Sequence, residues 1–223
     1  TMYPNESSLL EQTRAAVETI RAHRSDGRVT SLVIGALGRC GRGAIDCLEK
    51  SGFKADEIVR WDVQETSAKS GPYQEIANSD LFINCIYLSK KIPPFINRDL
   101  LAAAGSQRRL GMIVDVSCDT TNPNNPIPVY SVNTTFEKPT VRVDGVDNLE
   151  VISIDHLPTL LPRESSEAFS HDLLPSLLQL PLIQGDDGPD ALAHDHAEGE
   201  GAVWARAEKL FRHHLAEAEK NGA

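Results

Sequence analysis

A run of glycines directly after an apolar stretch constrains the fold of this chain more than any other sequence feature. The segment SLVIGALGRCGRGA, residues 31–44, begins as a β-rich run, stops at Gly35 and continues through Gly38, Gly41 and Gly43. This pattern predicts a strand-to-helix turn in which another group must come close to the backbone. Unpaired N–H groups at the start of the helix would face an anion such as a pyrophosphate.

The glycine spacing is G-x-x-G-x-x-G rather than the standard G-x-G-x-x-G, so two interpretations remain. Such turns bind dinucleotides, and they also occur where a helix packs tightly on a strand. We place the start of the helix at about Arg42.

The next predicted strand supports the dinucleotide interpretation. The run EIVRWD ends in Asp62, 24 positions after Gly38. A carboxylate at this position accepts hydrogen bonds from an adenosine ribose and repels the additional phosphate of NADP, which favours NAD. The alternative role for Asp62 is a helix cap or a solvated acid at the end of a strand.

Short apolar runs alternate with helical segments, as is typical of layered α/β folds. We predict a Rossmann-like, doubly wound, mainly parallel sheet with helices on both faces and a C-terminal helix. No third strand of the first nucleotide-binding half is evident after Asp62, so we expect an abbreviated sheet. The predicted strands are TSLVIGA (30–36), EIVRWDV (57–63), LFINCIYL (81–88), MIVDVSC (112–118) and EVISID (150–155).

The chain divides into four predicted parts. They are an interdomain helix and connection (1–30), a dinucleotide-binding domain (31–180), a flexible acidic loop (181–201) and a C-terminal docking helix (202–223).

Ligands of open parallel sheets lie beyond the carboxyl ends of the strands. The residues predicted at those ends are Tyr87, Val116, Ser117, Asp155, His156 and Leu157. For His156, contact with a cofactor and an ordinary structural role both remain open.

Composition narrows the class of function. A formal charge of −10 argues against nucleic acid as the main partner, because phosphate binding needs a concentrated basic face. The apolar runs are too short for a membrane span. Four cysteines without a secretory signal favour a reducing compartment, and we expect a cytoplasmic protein.

The sequence lacks the motifs of several other classes of functional site. The sequence has no G-x-S-x-G elbow and no G-x-x-x-x-G-K-[ST] loop, which argues against a serine hydrolase and against phosphoryl transfer. It has no CxxC pair, and the motifs HDH (194–196) and HH (213–214) do not form a rigid cage, so we predict no metal site.

The sequence resembles the NAD-dependent, L-lysine-forming saccharopine dehydrogenase family. The resemblance rests on IGALGRCGRGAID, WDVQETS, LFINCIYLSK, VDVSCDTTNPNNPIP and VISIDHLPTLLPRESSEAFSHDLLPSL, in order and at similar spacing. It implies oxidation of saccharopine with NAD to lysine and 2-oxoglutarate. It also implies that an N-terminal domain of the family, which carries the paired lysine and histidine of the acid/base chemistry, is missing. We therefore assign no catalytic residue to this chain.

The resemblance also implies roles for individual residues. Gly38 and Arg39 would contact the NAD phosphates in the turn that Gly35 and Gly41 shape, and Asp62 would hold the adenosine ribose with Thr66 nearby. The cofactor rim would comprise Tyr87, Val116, Ile154, Asp155, His156 and Leu157.

Cys40 and Cys85 would be close if their strands are neighbours, and the family can form a disulfide there. Two free thiols and a labile disulfide both remain open.

Two hypotheses follow for the function. The first is the cofactor-binding part of a saccharopine dehydrogenase, inactive without its acid/base domain. The second is a non-catalytic dinucleotide-binding or interaction module that kept the fold.

Overall fold

A mainly parallel sheet organises the chain. In the computed structural model, which describes residues 2–180 and 202–220, six strands follow the order β2-β1-β3-β4-β6-β5. All neighbouring pairs are parallel except β5 with β6, which is antiparallel. The strands are β1 (Ser31–Ile34), β2 (Ile58–Trp61), β3 (Leu81–Asn84), β4 (Met112–Asp115), β5 (Val141–Arg142) and β6 (Glu150–Ile152).

Helices connect most of the strands. They are α1 (Glu6–His23), α2 (Arg39–Lys50), α3 (Val63–Ala68), α4 (Gln74–Ala77), α5 (Arg98–Ala104), α6 (Pro162–Leu178) and α7 (Ala202–Lys220).

The order in which successive strands are added to the sheet changes direction at β1. This strand pairs with β2 on one side and with β3 on the other, which is the switch point of a doubly wound fold. From β2 the chain passes through α3 and α4 directly to β3. Within the described residues no further strand extends the sheet beyond β2, so the expected abbreviation is confirmed.

Apolar side chains cover both faces of the sheet. Leu32 and Ile34 of β1 pack on one face in a cluster that includes residues of α4 and α5. Val33, between them, packs on the other face with Val17 of α1 and Leu48 of α2. Successive side chains of one strand thus pack into two different cores, one on each face of the sheet. This confirms the prediction of helices on both faces.

Two details of the predicted elements were wrong. Helix α2 begins at Arg39, not at about Arg42, because Gly41 lies in the first turn of the helix and lets that turn rest on the backbone of Gly35. The strand β5 was not predicted, since two residues paired to the edge of β6 carry no periodic pattern.

The chain forms two compact units, Thr1–Leu161 and Pro162–Ala223. The first contains the whole sheet. In the second, the Trp204 indole N–H of α7 donates to the carbonyl oxygen of Ser176 in α6, at 2.6 Å. The predicted acidic loop and the HDH motif lie outside the described residues.

Among the described residues, no helix combines the length and the apolar character that crossing a membrane requires.

Candidate cofactor site

The carboxyl ends of four strands meet at one edge of the sheet. Ile34 is in register with Trp61 of β2 and with Asn84 of β3, and Asn84 is in register with Asp115 of β4. Backbone pairing continues past these ends, since the Val116 amide donates to Asn84 O at 2.9 Å. The segments that follow the strands therefore share one rim, where open α/β sheets bind ligands.

Close contacts with the backbone explain why some positions in the turn are glycine. Gly35 has a φ of +88°, and a Cβ atom on it would lie 3.0 Å from the carbonyl oxygen of Cys85. A Cβ atom on Gly41 would lie 2.0 Å from Gly35 O, which no side chain can tolerate. Gly38 is under less constraint, with its nearest contact at 3.3 Å, and Gly43 has open space. Tight packing thus explains Gly35 and Gly41, and it constrains Gly38 less.

The amino end of α2 offers free hydrogen-bond donors. Gly38 caps the helix without a side chain, whereas α1 and α5 begin with asparagines whose side chains accept a backbone N–H. In the described part of the chain, the amides of Arg39, Cys40 and Gly41 have no hydrogen-bond partner. Three unpaired N–H groups and the positive end of the helix dipole favour an anion at this position.

Asp62 connects the turn with the second strand. Its Oδ2 accepts a hydrogen bond from the Leu37 amide at 3.0 Å, and its Oδ1 accepts one from the Val63 amide at 2.9 Å. The Glu65 carboxylate accepts the Asp62 amide at 2.7 Å, which completes a capping box for α3. Asp62 is therefore a helix cap, as the alternative interpretation held, and it also lies beside the glycine turn.

Two apolar side chains flank this carboxylate and face solvent. Leu37 is 77% exposed and Val63 is 67% exposed. Both residues also donate their backbone amides to the Asp62 carboxylate.

The other residues assigned by resemblance occupy different places on this rim. Thr66 lies in α3, where its hydroxyl donates to Asp62 O at 2.9 Å. Tyr87 follows β3 and is 69% exposed. Val116 follows β4 and is partly buried against the cluster around Val33. Arg39 is exposed at the first position of α2.

The segment after β6 forms the far end of the rim. Ile154 is buried, whereas Asp155 and His156 are exposed and Leu157 is half-buried. The His156 ring contacts Phe136 edge-on, with centroids 5.5 Å apart. An exposed imidazole on an aromatic neighbour is available to a ligand, so both interpretations of His156 stay open.

The cysteines at the turn are free thiols in this structure. Cys40 is exposed and Cys85 is half-buried. Burial raises the pKa of Cys85 to about 12, with further contributions from Cys40 and the Asp115 carboxylate. The disulfide between Cys40 and Cys85 stays a prediction.

Two further polar features occur in the described residues. A cleft of about 910 Å³ lies at the opposite, amino-terminal edge of the sheet, with four arginines among its lining residues. Two of these, Arg24 and Arg109, form ion pairs with Asp80, and Arg109 also pairs with Asp26. On α7, ligand atoms of His213, His214 and Glu217 approach within 4.8 Å of one another, but all three residues are exposed.

A buried polar cluster behind the rim was not predicted from the sequence. We call it the carboxylate cluster; its members are Asn84, Asp115, Ser117, Tyr130 and Ser153. The available signal was a polar residue at the last position of two strands that are otherwise apolar and buried on both faces. Tyr130 gave no signal, because only the tertiary fold brings it to Asp115.

The fold and its rim define the class: this is a Rossmann-type α/β domain with a glycine turn at the switch point of the sheet. Its sequence is similar to NAD-dependent, L-lysine-forming saccharopine dehydrogenases along nearly its whole length, which confirms the predicted resemblance. The chain spans about half the length of the curated relatives it matches.

Three relatives illustrate the similarity. The enzyme of Candida albicans is 51% identical over 222 residues, covering 99% of this chain and 53% of that protein. The enzyme of Yarrowia lipolytica is 54% identical over 219 residues, covering 96% and 53%. The enzyme of Schizosaccharomyces pombe is 52% identical over 212 residues, covering 94% and 53%.

No protein-family model matches the chain. Among solved structures, a "probable 2-hydroxyacid dehydrogenase" from Rhizobium etli aligns with a TM-score of 0.34 and 14% identity, covering 75% of this chain and 66% of that one.

Proposed function

We propose that this chain is the cofactor-binding portion of an NAD-dependent saccharopine dehydrogenase that forms L-lysine. The similarity to saccharopine dehydrogenases carries the proposal, and the glycine turn beside Asp62 supports it. Residues 31–180 would form the cofactor domain, with 1–30 as its connection and 202–223 as a docking helix. The proposed partners are small molecules in the cytoplasm, and the charge of −10 argues against nucleic acid.

The residues at the turn suit a dinucleotide. The unpaired amides of Arg39, Cys40 and Gly41 would bind the pyrophosphate, which Gly38 lets approach the backbone. The Asp62 carboxylate would accept the hydroxyl groups of the adenosine ribose. A phosphate on that ribose would place two negative groups together, so NAD would bind better than NADP.

The nicotinamide half of the cofactor would be held by Tyr87, Val116 and residues 154–157. The chemistry that NAD would supply when bound is acceptance of a hydride, here from the carbon beside the secondary amine of saccharopine. Loss of the amine proton leaves an imine, which water opens to lysine and 2-oxoglutarate. This chain would orient the cofactor and exclude water from one side, while the acid/base groups would come from the half of the relatives that it does not match.

The first test measures NAD and NADP affinity by calorimetry on the purified chain and on three variants. Asp62→Asn retains an N-cap but loses the charge, so we expect NAD to bind about tenfold more weakly and the preference against NADP to relax. Gly38→Val should abolish NAD binding and leave the fold intact. Gly43→Val is the matched control, because its side chain meets open space on the same helix.

A second assay supplies lysine, 2-oxoglutarate and NADH, and we expect no turnover from this chain alone. Turnover would show that acid/base groups reside here. Unchanged NAD binding in Gly38→Val would place the phosphates elsewhere, and binding of neither dinucleotide would favour a non-catalytic module.

A further inference from the structure

The carboxylate cluster centres on one buried acid. Asp115 is 0% exposed, as are its neighbours Asn84 and Ser153. Asp115 Oδ1 accepts Asn84 Nδ2 at 2.9 Å, the Ser117 amide at 3.1 Å and the Ser117 hydroxyl at 2.6 Å. Asp115 Oδ2 accepts the Tyr130 hydroxyl at 2.6 Å, and the Ser153 hydroxyl lies 3.1 Å from Tyr130 Oη.

The polar groups around the Asp115 side chain donate hydrogen bonds to its carboxylate. In the described part of the chain no basic side chain forms an ion pair with it. Four hydrogen-bond donors instead surround its two oxygens, so the buried carboxyl group has its hydrogen-bond partners. Burial and the Asp115 charge raise the pKa of Tyr130 above its usual range, so its hydroxyl remains a donor.

The cluster fixes the start of three rim segments at once. Asn84 binds both the amide and the carbonyl group of Ile86, at 3.3 and 3.2 Å, and so shapes the chain just before Tyr87. Asp115 holds Ser117, the neighbour of Val116. Ser153, at the far end of the cluster, immediately precedes Ile154.

The backbone after β4 is strained where the cluster holds it. Cys118 has a φ of +51°, which is uncommon for a residue other than glycine. Its thiol donates to Asp115 O at 3.1 Å. Such conformations persist only where the surroundings enforce them, and they concentrate at functional sites.

We propose that Asp115 is a positioning residue for the dinucleotide: one buried carboxylate sets the three rim segments that follow β3, β4 and β6. It acts through Asn84, Ser117 and Tyr130 and does not itself touch the ligand. This inference rests on the proposed NAD binding.

The test compares Asp115→Asn with a matched variant at the other edge of the sheet. Asp80 is also a buried acid, and its carboxylate accepts the Thr30 amide at 2.8 Å and the Thr30 hydroxyl at 3.0 Å. In Asp115→Asn an NH₂ group would face donors, and we expect the dissociation constant for NAD to rise at least about tenfold. In Asp80→Asn it should change less than about twofold, although both variants lose thermal stability.

Amide hydrogen exchange provides a readout that does not depend on NAD. Asp115→Asn should accelerate exchange at Ile86, Ser117 and Ile154, and Asp80→Asn should not. Tyr130→Phe, which separates Ser153 from Asp115 without a buried polar substitution, should weaken NAD binding and accelerate exchange at Ile154 alone. It serves as the test if Asp115→Asn does not fold.

Unchanged rim exchange in folded Asp115→Asn, or in Tyr130→Phe where that variant replaces it, would overturn the positioning role. So would an equal loss of NAD affinity in Asp80→Asn. If the unsubstituted chain binds no NAD, the proposed function fails, and the exchange measurements alone decide whether Asp115 orders the rim.

Discussion

At the scale of single residues, the glycines of the turn separate into two kinds. Gly41 is fixed by a backbone contact, since an added Cβ atom would lie 2.0 Å from Gly35 O. Gly38 is less constrained, since an added Cβ atom would lie 3.3 Å from Gly35 O. One sequence motif therefore combines a packing requirement with the proposed binding role, and substitutions can test the two separately.

We expect Gly41→Ala to destabilise the chain by about 1–3 kcal/mol, because the turn and the first turn of α2 must move apart. Urea denaturation measures this change. Gly43→Ala, two positions further along the same helix, should be neutral or stabilise by up to about 1 kcal/mol, because alanine has the higher helix propensity. Equal stability of the two variants would contradict the packing role of Gly41.

Residues with a local signature were predictable, and residues defined by tertiary contacts were not. The turn and Asp62 follow from glycine spacing and from the end of an apolar strand. The additional link from Asp62 to the Leu37 amide depends on how β1 and β2 pair, and no local pattern encodes it. The same holds for Tyr130 and Asp115, which are 15 positions apart and meet across a loop.

At the scale of elements, buried polar contacts join α1 to the segment before β2. Arg21 of α1 pairs with the fully buried carboxylate of Glu57 at 2.7 Å, and the Lys54 amide donates to the same oxygen at 2.9 Å. Burial raises the pKa of Glu57, but these two donors outweigh it, and the net effect lowers the pKa below its ordinary value of 4.5.

We expect Glu57→Gln to lower the free energy of unfolding by about 2–4 kcal/mol at pH 7, because Arg21 loses its buried partner. The Glu57 pKa is lower in the folded chain than in the unfolded chain. Its contribution is therefore present above about pH 4.5 and is lost as the pH falls through the folded value. Urea denaturation at pH 7 and pH 4 should show a smaller difference between Glu57→Gln and the unsubstituted chain at the lower pH.

Glu49→Gln is the control, since its pair with Arg60 is exposed and should contribute less than about 1 kcal/mol. A pH-independent effect of Glu57→Gln would mean that shape rather than charge anchors α1.

The elements themselves were largely predictable from the sequence. Five strands of the sheet each have an apolar run bounded by turn residues, and all five were found. The predicted start of α2 was three residues late. Glycines are typical of loops, but Gly41 lies within the helix. The edge strand β5 exists only through its pairing with β6.

At the scale of the whole molecule, the core is confined to the first unit. Among the described residues, the buried hydrophobic ones extend no further along the chain than Ile154, and α6 contains none. Both apolar clusters therefore lie before Pro162, together with the whole sheet and the candidate cofactor rim.

We expect a chain that ends at Leu161 to fold cooperatively, with a melting temperature within about 4 °C of the full chain, roughly 1 kcal/mol for a domain of this size. Circular dichroism melting would measure it, with a chain ending at Leu180 as the control. Loss of a cooperative transition in the shorter chain alone would show that α6 is required for folding.

The contacts of Asp62 have a consequence for the kinetics of recognition. The backbone amides of Leu37 and Val63 hold this carboxylate in one orientation. Its rotamer is selected during folding, so capture of a ribose would incur little further entropy loss at this side chain. We therefore expect discrimination between the two coenzymes to arise at first encounter rather than through a later rearrangement.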